Sequence, residues 1–113
     1  MCTQAQALNI LGEVFDLYNV LLKNKVKDVY LYGSYARGDF HMHSDVDILI
    51  TADMSAEDLC LYRNSAALLN SELSLKYDVT VSVTLKPLEQ FLKYANILPY
   101  YKNVIREGIK YAI

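Results

Sequence analysis

Between Thr3 and Asn24, apolar side chains fall at Ala7, Leu8, Leu11, Val14, Phe15, Tyr18, Leu21 and Leu22. This is the three-and-four spacing of a helix with one apolar face. Thr3 stands where a capping hydroxyl is wanted. Lys23, Lys25 and Lys27 follow, placing positive charge where the helix dipole favours it, and this cluster reads as a solvated helix end. The period then changes. Val29-Tyr30-Leu31-Tyr32 is a β-branched and aromatic run that predicts a buried strand. Asp45-Val46-Asp47-Ile48-Leu49-Ile50 alternates and then turns wholly apolar, as a strand does when its start is wet and its remainder is covered.

Ser55, followed by Glu57 and Asp58, predicts a capped helix start, and Leu59, Tyr62, Ala66, Leu69 and Leu73 extend it along one face. Tyr77 to Thr84 is the cleanest alternation in the chain, with valines on one face and Asp78, Thr80, Ser82 and Thr84 on the other, so it predicts a half-buried strand opened by Asp78. Pro87 ends that strand and starts a short helix through Leu88, Phe91 and Leu92. A further helix from Leu98-Pro99, carrying Tyr101, Val104 and Ile105, stops at Gly108, and Ile109 to Ile113 predicts a last strand. The order predicts an α/β or α+β protein: a small mixed sheet covered mainly on one side by two long helices. A chain of 113 residues is expected to form one domain, residues 1–113, around one core.

Composition narrows the function classes. Hydrophobic residues are 53% and charged residues 21% of the chain, a globular balance that excludes a disordered tail protein. A formal net charge of -2 argues against a broad basic surface for direct nucleic-acid binding, so a phosphate-bearing ligand has to be held locally by a few donors. Cys2 and Cys60 lie far apart without metal-ligand spacing, which suits a reducing compartment. The first residues lack a basic region followed by an apolar core, and no apolar run approaches the ~18 residues of a membrane span. The expected location is cytoplasmic, with no membrane partner.

The chemistry concentrates in residues 33–47. Gly33 ends a strand and Ser34 opens a turn, where backbone N–H groups and a hydroxyl can meet a phosphate without an intervening side chain. Arg37 adds a fixed charge to the same turn, and Gly38 lets the chain fold back. Side chains alternate along a strand, so Asp45 and Asp47 project to one side about 7 Å apart and offer the oxygen ligands that Mg²⁺ prefers. Asp78, if its strand pairs beside theirs, is the expected third carboxylate. Three carboxylates around one or two Mg²⁺ ions would make a clamp for in-line displacement at phosphorus. His41 and His43 lie in the connecting loop, and a hard-cation site has no use for them. Tyr35 suits either base stacking or packing. Tyr94, Tyr100 and Tyr101 suit the core or an interface, and Arg106 suits a surface ion pair.

Gly33-Ser34-Tyr35-Ala36-Arg37-Gly38 with Ser44-Asp45-Val46-Asp47, a later Asp78, and the ending Pro99-Tyr100-Tyr101-Lys102-Asn103-Val104-Ile105-Arg106-Glu107-Gly108 resemble the minimal nucleotidyltransferases, the small stand-alone branch of the DNA polymerase β superfamily. The loop Phe40-His41-Met42-His43 departs from that family in lacking its usual proline. The resemblance implies a nucleotidyltransferase fold in which Gly33, Ser34 and Arg37 bind the nucleotide's phosphates and Asp45, Asp47 and Asp78 bind metal and catalyse. It further implies a Mg²⁺-dependent enzyme that moves AMP from ATP to a hydroxyl. In that family the enzyme is commonly an antitoxin that adenylylates a tyrosine of a HEPN-domain ribonuclease toxin, so such a toxin is the expected partner. A small-molecule transferase of the aminoglycoside type and a non-catalytic binding module are the alternatives.

Overall fold

A computed structural model describes residues 2–113. Ten elements follow one another: α1 (Gln4–Leu21), β1 (Val26–Tyr32), α2 (Ser34–Arg37), β2 (Val46–Ala52), α3 (Ala56–Cys60), α4 (Arg63–Tyr77), β3 (Val81–Pro87), α5 (Leu88–Tyr94), α6 (Pro99–Glu107) and β4 (Ile109–Lys110). The strands form one mixed sheet in the order β3-β2-β1-β4. β1 runs antiparallel to both β2 and β4, while β2 and β3 are parallel. The parallel pair requires a crossover, and α3 and α4 supply it.

Two long helices cover one face of the sheet, as expected. α1 begins with a capping box, in which the Thr3 hydroxyl accepts from the Gln6 N–H and the Gln6 side chain accepts from the Thr3 N–H. Its buried Ala7, Ile10, Leu11, Val14 and Tyr18 pack with Val29, Leu31, Val46, Ile48, Ile50 and Val81 of the sheet and with Ala66 and Leu73 of α4. The helix ends where Lys23 and Asn24 both take positive φ, a conformation that asparagine adopts at low cost. On the other face a smaller cluster joins Tyr30 and Leu49 to Phe91 of α5 and to Tyr101 and Val104 of α6. This second cover reaches only part of the sheet.

The third strand and its helix differ from the sequence-based expectation. α4 continues to Tyr77, Asp78 caps it in the left-handed conformation (φ 53°, ψ 43°), and β3 begins only at Val81. The Ser74 hydroxyl accepts the Val81 N–H at 2.9 Å, tying the strand's start to the helix it leaves. The helix expected from Ser55 is also broken in two at Leu61-Tyr62, and the final strand is two residues long.

α1 is held to α4 by a buried polar contact. The Tyr18 hydroxyl donates to Asn70 Oδ1 at 2.5 Å, and burial pushes the phenol's pKa up to about 12. Replacing Tyr18 by phenylalanine should cost about 1 kcal/mol through the lost hydrogen bond. Tyr18→Ala should cost about 3–5 kcal/mol because it opens a cavity. Urea denaturation of the three proteins measures both, and equal losses for the two variants would contradict a packing role for the ring.

Candidate active site

Residues 33–47 leave the end of β1, turn through α2 and return at the start of β2, so the expected phosphate turn and both aspartates meet at one end of the sheet. Gly33 has φ 76° and ψ −155°, a region that residues with a Cβ seldom occupy. A Cβ at this position would lie 2.7 Å from Asp47 Oδ2. The turn therefore touches the carboxylate, and only glycine permits the contact. The Gly33 carbonyl accepts the N–H groups of Ala36 and Arg37, and Gly38, also at positive φ, closes the turn onto Ser34. The first N–H groups of such a turn have no partner inside it.

Asp47 pairs in register with Tyr32 of β1 and Ser82 of β3. Alternation places it on the same face as Leu49, the face that α5 and α6 cover incompletely. It is half-buried, whereas Asp45, one residue ahead of β2, is exposed. Burial pushes the Asp47 carboxyl above its usual range, the negative charge of Asp45 adds to this, and Arg37 opposes it. Arg37 is held by carboxylates on either side: its Nε donates to Asp39 Oδ2 at 3.2 Å and its Nη1 to Glu107 Oε2 at 3.4 Å. Its guanidinium is thereby tethered to the end of α6.

Asp78 lies elsewhere than the alternation predicted. As the cap of α4 it never joins β3. It lines a depression of about 370 Å³ with Asp45 and His43, which Asp47 does not share. The β3 residue in register with Asp47 is Ser82, and Thr80 precedes Val81, the partner of Val46. Hydroxyl side chains therefore occupy the strand positions where a third carboxylate was expected. The alternation of residues 78–84 concealed a helix end, because an aspartate rather than a glycine takes the left-handed cap. Among the described residues no three His, Cys, Asp or Glu side chains converge on a metal-sized site. Asp45 and Asp47 are near enough for the charge of one to act on the other, and two neighbouring carboxylates fit a single hard cation that keeps water ligands and shares a nucleotide's phosphates.

The remaining motif residues divide between packing and surface. Tyr35 is buried, stacks on Phe40 at 4.5 Å and donates to the Cys2 carbonyl, so it packs the core. His41 and His43 are exposed loop residues, the second donating its N–H to Nδ1 of the first. Arg106 pairs with Glu107 at the surface. Sequence reasoning gave Tyr100 to the core or an interface and Tyr32 to a strand, and did not foresee that they meet. The Tyr100 hydroxyl donates to that of Tyr32 at 2.8 Å, with the rings edge to face. Both tyrosines line a cavity of about 230 Å³ with Gly33, Arg37 and Glu107. The placement of Tyr32 directly before Gly33 was the available signal for its role.

A glycine turn closed on a strand carboxylate, carried on a mixed sheet backed by two long helices, is the arrangement expected of a nucleotidyltransferase. The chain belongs to the nucleotidyltransferase domain family, whose sequence profile matches residues 17–111. Three proteins of Methanocaldococcus jannaschii, each provisionally assigned as a protein adenylyltransferase, are similar to it. One is 36% identical over 89 residues, which are 76% of this chain and 78% of that protein. A second is 34% identical, over 68% of this chain and 76% of that protein. The third is 30% identical, over 94% of this chain and 98% of that protein. Two crystal structures of variants of the toxin–antitoxin pair MntA-HpeT share the fold. Their TM-scores are 0.51 and 0.53 at 22% and 20% identity, covering 86% and 88% of this chain and 69% of the matched chain in each case. No helix among the described residues is long and apolar enough to cross a membrane.

Two variants test this geometry without a partner. Gly33→Ala should lose about 1–3 kcal/mol of stability, because it combines a disfavoured φ with a clash against Asp47. Asp47→Asn should melt at a higher temperature than the parent in chelator at neutral pH. A carboxyl whose folded pKa is raised binds its proton more tightly in the folded state. Its destabilising effect therefore sets in as pH rises from the usual carboxylate range through the raised value, and persists above it. A neutral side chain removes that effect, so unchanged melting curves above and below this window would contradict the assignment.

Proposed function

We propose that the protein is a Mg²⁺-dependent protein adenylyltransferase that moves AMP from ATP to a hydroxyl of a partner protein, most simply a tyrosine of a HEPN-domain toxin that it silences. The observation that carries this reading is the contact between Gly33 and Asp47, where a side chain as small as a methyl group would collide with the carboxylate. It sets the turn proposed to bind phosphate against one of the two carboxylates proposed to bind metal. Ser34 and the turn's N–H groups bind phosphate oxygens, and Arg37 exchanges one of its carboxylate partners for them. Asp45 and Asp47 hold the cation, which when bound would neutralise phosphate charge and favour displacement at the α-phosphorus.

The acceptor oxygen forms the new bond to the α-phosphorus, the bond to the β-phosphate oxygen breaks, and pyrophosphate leaves. β3 offers Ser82, with Thr80 just ahead of the strand, rather than a carboxylate base, so the acceptor's proton leaves to water or to a group that the partner brings. The assignments of the M. jannaschii relatives and the toxin–antitoxin pair that shares the fold support the same reading, as does the variant of that pair in which two aspartates separated by a single residue were exchanged for glutamate.

The test is incubation with α-labelled ATP and Mg²⁺, with and without a HEPN-domain toxin supplied as the acceptor. Label should appear on the toxin and should require both nucleotide and metal. Asp45→Asn and Asp47→Asn should each reduce labelling by at least about 10²-fold. Asp78→Asn, a change at an exposed helix cap, should leave it within a factor of about two to three. Tight binding of the toxin without any label would contradict the enzymatic reading, and loss of labelling in Asp78→Asn equal to that in Asp47→Asn would contradict the two-carboxylate site.

A further inference from the structure

β3 is the outermost strand of the sheet on its side, and one hydrogen bond fixes which of its backbone groups are free. The Val46 N–H donates to the Thr80 carbonyl at 2.8 Å. In a parallel ladder this phase turns the backbone groups of Thr80, Ser82, Thr84 and Lys86 toward β2 and those of Val81, Val83 and Leu85 outward. The Val81 N–H is taken by Ser74, and Pro87 has none. The open stretch thus presents the N–H groups of Val83 and Leu85 and the carbonyls between Val81 and Leu85, enough to pair with a strand of about four or five residues.

Behind this edge lies a groove of about 440 Å³ between β3 and the helices α3 and α4. Leu59 and Ala66 of the helices and Val83 and Leu85 of the strand give it an apolar floor. The charged residues that line it are Arg63 and Lys86, both cations in a chain whose formal net charge is -2. No carboxylate lines it, and among the described residues neither cation is in an ion pair. Arg63 donates to the Cys60 thiol at 3.6 Å but meets no carboxylate; an unpaired strand edge, a floor that accepts aliphatic side chains and two positive charges outside any ion pair together specify one kind of occupant.

We propose that the β3 edge and the groove behind it dock an extended, acidic segment of the protein acceptor as an added strand. Backbone pairing with Val83 and Leu85 holds the segment, its aliphatic side chains fill the floor, and its carboxylates meet Arg63 and Lys86. The docking stands on these features alone, while its consequence for catalysis rests on the proposed transferase activity. β3 runs parallel to β2, so its Val81 end lies beside Val46 and Asp47. A segment paired along β3 is therefore led directly to the site, and the hydroxyl that it delivers lies a few residues beyond the paired stretch.

The test uses the full chain and a blocked hexapeptide alternating glutamate and valine, with a lysine–valine peptide of the same length as control. Amide hydrogen exchange is followed by NMR. Exchange at Val83 and Leu85 should slow on the order of tenfold when the acidic peptide reaches ten times its Kd. Thr84, already bonded to β2, should be unaffected, and the basic peptide should have no effect. The double variant Arg63→Glu and Lys86→Glu, changed at the groove's charged positions, should reverse the preference. No slowing with millimolar acidic peptide, or equal slowing with both peptides, overturns the proposal. The measurement needs neither ATP nor transfer, so a failed transferase assay leaves it standing. Transfer to the toxin without any protection of Val83 and Leu85 would overturn the docking alone.

Discussion

The contact between Gly33 and Asp47 is the constraint on which the rest of the site depends. A turn able to hold phosphate and a carboxylate able to hold a cation are each common, and neither alone defines a chemistry. Here the antiparallel pairing of β1 and β2 sets Tyr32 opposite Asp47, so the chain leaves β1 beside the carboxylate, and a residue with no side chain is the only one that fits there. The cost is a half-buried carboxylate whose ionisation burial and Asp45 both oppose. A cation bound there would relieve that opposition.

The two faces of the sheet carry different duties. The face under α1 and α4 is closed by Ile48, Ile50, Val29 and Leu31, all fully buried, and it supplies the rigidity that a site built from strand ends requires. The other face is covered only where Phe91, Tyr101 and Val104 pack on Tyr30 and Leu49. Beyond that patch, Tyr32, Tyr100, Arg37 and Glu107 form a polar border that links α6 to the phosphate turn. α6 thus reaches both the turn and the end of β1, through Glu107 and Tyr100.

Much of this was legible in the sequence. α1 declared itself by period and cap, the two strands around residues 33–47 by their β-branched runs, and the meeting of the Gly33 turn with Asp47 by glycine and aspartate at a fixed offset between them. What misled was local. Residues 77–84 alternate as one strand would, yet the first four belong to a helix end and its exit, because Ser74 captures the Val81 N–H and Asp78 accepts a left-handed conformation. Periodicity cannot reveal a side chain that competes for a backbone donor seven residues away. The Tyr32–Tyr100 pair was equally hidden, since it depends on α6 crossing β1, a tertiary event with no local signature. The break between α3 and α4 follows no glycine or proline and was likewise unreadable.

The central claim is that turn and carboxylates form one ligand site, and a double-mutant cycle on Mg²⁺·ATP affinity tests it most directly. Calorimetric titration of the parent, Gly33→Ala, Asp47→Ala and the double variant gives the coupling between the two positions. If they act as one unit, the alanine at position 33 weakens binding strongly in the parent and hardly at all once the Asp47 side chain is gone, a coupling of about 0.5–3 kcal/mol. Equal penalties in both backgrounds would mean that the two halves of the site work independently, contrary to the account given by the structure.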